Sequence, residues 1–159
     1  MEIIETGLKF TRRPSVRRRT NLIVIHHTAS RDVSAQVIHS AHLRNGWIGN
    51  GYHFLIRADG QIERGRPENS VGAHVNGFNS NSIGIGLLGN FMTRLPSQTQ
   101  IESLEELVIF LTEKYPNVTR ICSHKDLDAT LCPGTIFYNW LQNQEWYDCL
   151  LYTSDAADE

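Results

Sequence analysis

Leu22-Ile23-Val24-Ile25-His26-His27-Thr28-Ala29 is the stretch on which the fold turns. Four apolar residues, three of them β-branched, run straight into two histidines. Such a short run reads as a strand buried on both faces, which points to a sheet covered by helices. The strand is predicted over Asn21 to His27. Successive strand side chains point to opposite faces, so only one of His26 and His27 can face a given site. The histidines close the strand, and strand ends are where open α/β sheets place their ligands.

Working outward, Ser34 to Asn45 reads as a helix with Val37, Ile38 and Ala41 on one face and Gly46 as its stop. Tyr52 to Arg57 alternates as a strand, Asp59-Gly60 is a hairpin turn, and Gln61 to Arg64 is the return strand. Gly65 to Ser82 is rich in Gly, Asn and Ser and reads as an exposed loop. Ile83 to Leu88 is a strand whose internal glycines imply a close approach of other groups to its backbone. Ser97-Gln98-Thr99-Gln100 is a capping box, and the helix after it carries the stripe Ile101, Leu104, Leu107, Val108 and Leu111 until Pro116 stops it beyond Tyr115. Val118 to Cys122 is a short strand that delivers His124, and Pro133-Gly134 precedes a last helix from Thr135 to Gln144. The class expected is α/β: a single domain with a mixed central sheet flanked by about three helices.

The bulk numbers agree. A chain of 159 residues holds one core rather than two. Its 40% hydrophobic and 20% charged content is that of a globular protein. No stretch reaches the roughly 18 apolar residues of a membrane span. The arginines from Arg12 to Arg19 precede too short an apolar run for a signal core of about 7–15 residues, so no signal peptide is expected. Residues 1–20 form a basic segment, read either as a solvated arm or sheet edge or as an attractor of an anionic polymer, cell wall or nucleic acid. Residues 21–147 are assigned to the domain, and residues 148–159 to a tail of non-native character. From Cys149 the tail resembles an in-frame translation of a sequencing adapter, since TGT CTC TTA TAC ACA TCT encodes Cys149 to Ser154. Without its three acids the formal charge moves from −2 to +1. Cys122 and Cys132 could pair, but two cysteines in a chain without an export signal are weak grounds for a disulfide.

The chemistry centres on His26, His124 and Cys132. Two imidazoles and a thiolate are donors that zinc prefers, and three protein ligands leave a fourth place for water, as catalytic sites do. Spacing alone is a weak signal, because seven histidines make chance triplets easy. His39 and His42 are expected in surface or capping roles, His53 in a structural hydrogen bond, and His74 in the loop as a substrate contact.

Taken together, the motifs resemble the zinc-dependent N-acetylmuramoyl-L-alanine amidases. The chain is most similar to the small amidase endolysins of tailed phages, and is related to the peptidoglycan recognition proteins. The resemblance rests on Val24 to Ala29, His42 through Gly46-Trp47, Gly51-Tyr52-His53-Phe54, Asp59-Gly60, Gly65-Arg66, Val71-Gly72-Ala73-His74, Asn79 to Ile85, and His124 through Cys132-Pro133. It implies Zn2+ held by His26, His124 and Cys132, with Tyr52 and Thr130 as catalytic residues and Trp47, His74 and Asn79 as substrate contacts. Thr130 departs from the lysine common at that place in phage enzymes and matches the threonine of amidase-active recognition proteins. The activity implied is hydrolysis of the amide between N-acetylmuramic acid and L-alanine in bacterial peptidoglycan by zinc-activated water. Two alternatives stand beside it: a non-catalytic peptidoglycan-binding module, and a phage regulator of an RNA polymerase. The resemblance further implies a monomer without a membrane span or nucleic-acid partner. It would be made in the cytoplasm of an infected bacterium and act on the cell wall.

Overall fold

The computed structural model describes residues 1–148; the adapter-like tail from Cys149 lies outside them. Six strands form one mixed sheet in the order β1-β4-β3-β5-β2-β6. They are β1 (Ile3–Ile4), β2 (Leu22–His27), β3 (Phe54–Ile56), β4 (Ile62–Arg64), β5 (Ser82–Leu87) and β6 (Arg120–Ser123). The helices are α1 (Ala35–Arg44), α2 (Gln98–Lys114), α3 (His124–Leu127) and α4 (Thr135–Leu141), with a 3-10 turn at Asn79–Asn81.

β2 is central and buried along its whole length. It runs parallel to β5 on one side, with Ile25 opposite Ile85, and parallel to β6 on the other, with Ile25 opposite Ser123. Burial on both faces is why the sequence reads as continuously apolar rather than alternating. β3 and β4 form the predicted hairpin, closed by Arg57 N–H donating to the Gln61 carbonyl.

One face of the sheet carries the main core. Ile23, Ile25, Ile83, Ile85 and Leu87 meet Leu104, Leu107, Val108 and Leu111 of α2, together with Phe91, Phe137 and Leu141. The predicted stripe of α2 is buried, and its capping box is present: Ser97 Oγ accepts from Gln100 N, and Gln100 Oε1 accepts from Ser97 N. α1 covers a smaller cluster with Ala35 and Ile38 against Leu55 and Leu88.

Two expectations need correction. Val37 is 48% exposed, and the buried face of α1 is Ala35, Ile38 and His39, because the helix is rotated to bring His39 under the chain at Asn50. The Gly65–Ser82 loop is not simply exposed, since Arg66, Ser70, His74, Val75 and Ser82 are buried. Its backbone groups are met by Arg66 and Asn79, which act as internal hydrogen-bonding posts. The basic segment takes the sheet-edge form: β1, the outermost strand, pairs with β4, and Val16 bridges Ser70. Arg17 turns inward to donate to the carbonyls of Glu68 and Ser70.

Candidate metal centre

β2 delivers His26 at its C-terminal end, one step from His27 on the other face. β6 leads directly into α3, whose first residue is His124. α3 is a single turn, held by its own carboxylate: Asp126 accepts from Ser123 N–H at 3.0 Å, from the Tyr138 hydroxyl at 2.6 Å, and from the Tyr147 hydroxyl. Burial works against the Asp126 charge, but these hydrogen bonds outweigh it and hold the carboxyl below its ordinary range. Cys132 follows on a loop that turns at Gly134, whose N–H donates to the Leu131 carbonyl and whose φ is 103°.

The three side chains converge. One donor atom from each of His26, His124 and Cys132 lies within 4.8 Å of the others. Cys132 Sγ is 3.6 Å from His26 Nδ1. Tetrahedral zinc with Zn–N of about 2.0 Å and Zn–S of about 2.3 Å separates such a pair by about 3.5 Å, so these two atoms already stand close to the required spacing. The donor set therefore fits zinc in type, in number and in this pair's spacing.

The electrostatics agree with neutral ligands. Burial drives His26 far below the ordinary imidazole value, and the nearby His124 and His27 add to it. His124 is lowered by burial against an opposing pull from Asp128. Burial pushes the Cys132 thiol up to about 12. A thiolate at that place therefore needs a cation beside it, and a coordinated metal supplies one. The thiol is free, as is Cys122, so the disulfide alternative is absent; Cys122 packs with Leu22, Val24 and Val75.

Around the three side chains lies a cavity of about 350 Å³ lined by Tyr52, Thr130, Trp47, His42, Ala73 and Leu131, among others. Tyr52 packs its ring against His26, with centroids 5.1 Å apart. The close approach implied by the β5 glycines is here: a Cβ at Gly86 would stand 3.0 Å from the Tyr52 ring. Thr130 Oγ1 accepts from Cys132 N at 3.2 Å, bracing the turn that carries the sulfur. Trp47, 42% exposed, packs against His42 with the rings tilted and their centroids 4.6 Å apart.

His74 lines the same cavity, and it and Asn79 are held by protein contacts. His74 is only 8% exposed, and both its ring nitrogens meet protein, His26 Nε2 at 2.8 Å and Ser82 Oγ at 3.1 Å. Asn79 spends its side-chain oxygen on the N–H groups of His74 and Val75. Both still border a second cavity that continues the first past Trp47. His39, His42 and His53 lie outside the ligand set. Each accepts a backbone N–H at Nδ1, from Asn50, Gly51 and Gly84 respectively. His27 does the same for Phe91.

Residues 16–135 match the N-acetylmuramoyl-L-alanine amidase family. The chain belongs to that family. Among amidase-family relatives, the endolysin of Escherichia phage T7 is 33% identical over 149 residues, covering 89% of this chain and 95% of its own. The structure of the N-acetylmuramoyl-L-alanine amidase LysC from Clostridium intestinale URNW superposes with a TM-score of 0.83 at 42% identity, covering 86% of this chain and 91% of LysC. Peptidoglycan recognition protein LE, solved in complex with tracheal cytotoxin, superposes with a TM-score of 0.83 at 28% identity, covering 91% of this chain and 95% of that one. The amidase fold is thus shared between enzymes and a protein solved with a peptidoglycan fragment.

What sequence reading missed is the support around the ligands. The contacts of His74 with His26, of Asp126 with the hydroxyls of Tyr138 and Tyr147, and of the His27 carbonyl with Cys132 Sγ at 3.7 Å join residues far apart in the chain. The glycines of β5 announced a close approach but not its partner; at Gly84 and at Gly72 the missing Cβ atoms leave room for the His74 ring.

Proposed function

We propose that the protein is a zinc-dependent peptidoglycan amidase that hydrolyses the bond between N-acetylmuramic acid and L-alanine. The observation that carries this reading is the convergence of His26, His124 and Cys132 at the floor of an open cavity. The chemistry supplied by a zinc ion in such a three-ligand setting is Lewis acidity, which acidifies water and polarises an amide carbonyl.

This chain's own residues would do the rest. Burial, and secondarily the Cys132 side chain, raise the Tyr52 hydroxyl above its ordinary value. Tyr52 therefore stays protonated near neutrality and acts as a donor toward the developing oxyanion rather than as a base. Thr130 would orient the same region through its hydroxyl, which carries no charge. Trp47 and Leu131, 42% and 58% exposed, give the cavity apolar walls for the sugar and the first residues of the peptide. In this reading Asn79 and His74 shape the loop beneath the substrate. The endolysins among the relatives support action on the cell wall. No helix among the described residues is long and apolar enough to cross a membrane.

Digestion of purified cell wall tests the reading. The expected result is release of peptide amino groups without new reducing sugar ends. Binding to wall with neither product would support the non-catalytic alternative and refute the amidase.

A further inference from the structure

Three side chains form a row behind the candidate ligand. Ser82 Oγ donates to the Phe78 carbonyl at 2.7 Å, His74 Nε2 lies 3.1 Å from Ser82 Oγ, and His74 Nδ1 lies 2.8 Å from His26 Nε2. The direction of the protons is set from one end. A carbonyl only accepts, so the serine proton points at Phe78 and Ser82 Oγ must accept from His74. His74 then carries its proton on Nε2 and presents a lone pair at Nδ1. His26 must donate from Nε2, which leaves its own lone pair on Nδ1, the atom 3.6 Å from Cys132 Sγ.

The row is tightly held. A Cβ at Gly84 would stand 2.5 Å from His74 Cγ, and one at Gly72 would stand 2.7 Å from His74 Cδ2. Asn79 Oδ1 fixes the backbone of His74 and Val75. The His53 ring meets His74 edge-on at 5.7 Å. The ring can neither slide nor flip without breaking contacts on several sides.

We infer that His74 and Ser82 are positioning residues of the metal centre, which lock His26 in the tautomer that offers Nδ1 to the metal. A histidine ligand usually donates its other N–H to an acceptor, and loss of that acceptor costs about 10–100-fold in metal affinity. Here the acceptor is a neutral imidazole and the row ends on a backbone carbonyl, so orientation is secured without adding negative charge. The inference rests on the zinc reading above, but part of its test needs no metal.

Nitrogen-resolved NMR of the metal-free protein reads the His26 tautomer directly. Wild type is expected to show one tautomer with the proton on Nε2, and His74→Ala a mixture. Zinc affinity by chelator competition should fall about 10–100-fold in His74→Ala and recover in part in His74→Gln, whose amide can both accept and donate. Should His74→Ala not fold, Ser82→Ala removes only a hydroxyl at the far end, and its His26 tautomer should also become mixed. A mixed or Nδ1-protonated His26 in wild type overturns the inference, as does undiminished zinc affinity in a folded His74→Ala. A fixed tautomer in a wild-type protein that takes up no zinc supports the row and refutes the metal reading, so the two failures are distinguishable.

Discussion

Cys132 Sγ and His26 Nδ1 lie 3.6 Å apart although 106 positions separate them in the chain. One sits at the end of a buried central strand and the other on a turn between short helices, and only the folded sheet brings them together. Catalytic competence is therefore coupled to the integrity of the β2–β6 pairing and of the small network beneath α3.

Tyr52→Phe isolates the hydroxyl, since the ring packing against His26 and Gly86 is kept. The expected loss is about 10²–10³ in kcat with KM little changed, as for removal of one oxyanion donor. Steady-state kinetics on soluble wall fragments checks this. An unchanged kcat would remove Tyr52 from the reaction.

Asp126→Ala strands the Tyr138 hydroxyl and the Ser123 N–H without their acceptor and leaves the Tyr147 hydroxyl only Ser123 Oγ. Each unsatisfied group costs about 1–3 kcal/mol, so a drop of several kcal/mol in unfolding free energy is expected. Because α3 begins at His124, zinc affinity should fall with it. Urea unfolding and chelator competition on the same sample measure both.

Acid should weaken the fold. Burial lowers His53 to about 3, and lowers His27 and His42 to about 4. The unfolded chain, with imidazoles near 6.5, binds more protons in the interval between. The stabilising contribution is therefore complete above about pH 6.5 and is lost as pH falls toward the folded values. The slope is at most about 1.4 kcal/mol per pH unit for a fully buried group such as His53. Urea midpoints measured from about pH 7 down to about pH 4 should fall progressively; flat midpoints would contradict it.

Gly84→Ala is expected to act at the site through the core. Its Cβ would stand 2.5 Å from the His74 ring, and overpacking of this kind costs about 1–3 kcal/mol. Thermal unfolding and zinc affinity should both decline, whereas an alanine without effect on either would show that the ring is freer than its surroundings imply.

The legibility of this site in the sequence follows from range. β2, the stripe of α2 and the β3–β4 hairpin depend on local periodicity and turn chemistry, and they lie within a few residues of where the pattern puts them. The ligand triad was visible as residue types, though its spacing carried little weight until ordered motifs accompanied it. The packing of His74 was not legible, because its contact with His26 and the slot that Gly84 of β5 makes for its ring depend on segments that only the fold brings together. The rotation of α1 was missed for a similar reason. His39 is buried by a hydrogen bond to Asn50 and an edge contact with Phe10, neither of which hydrophobic patterning can register.

Zinc content and amidase activity in wild type and Cys132→Ser test the central claim most directly. The account predicts about one zinc per wild-type chain, near none in the variant, and activity lost in parallel. A wild-type enzyme that cleaves wall without metal, or a Cys132→Ser protein that keeps both metal and activity, would contradict it.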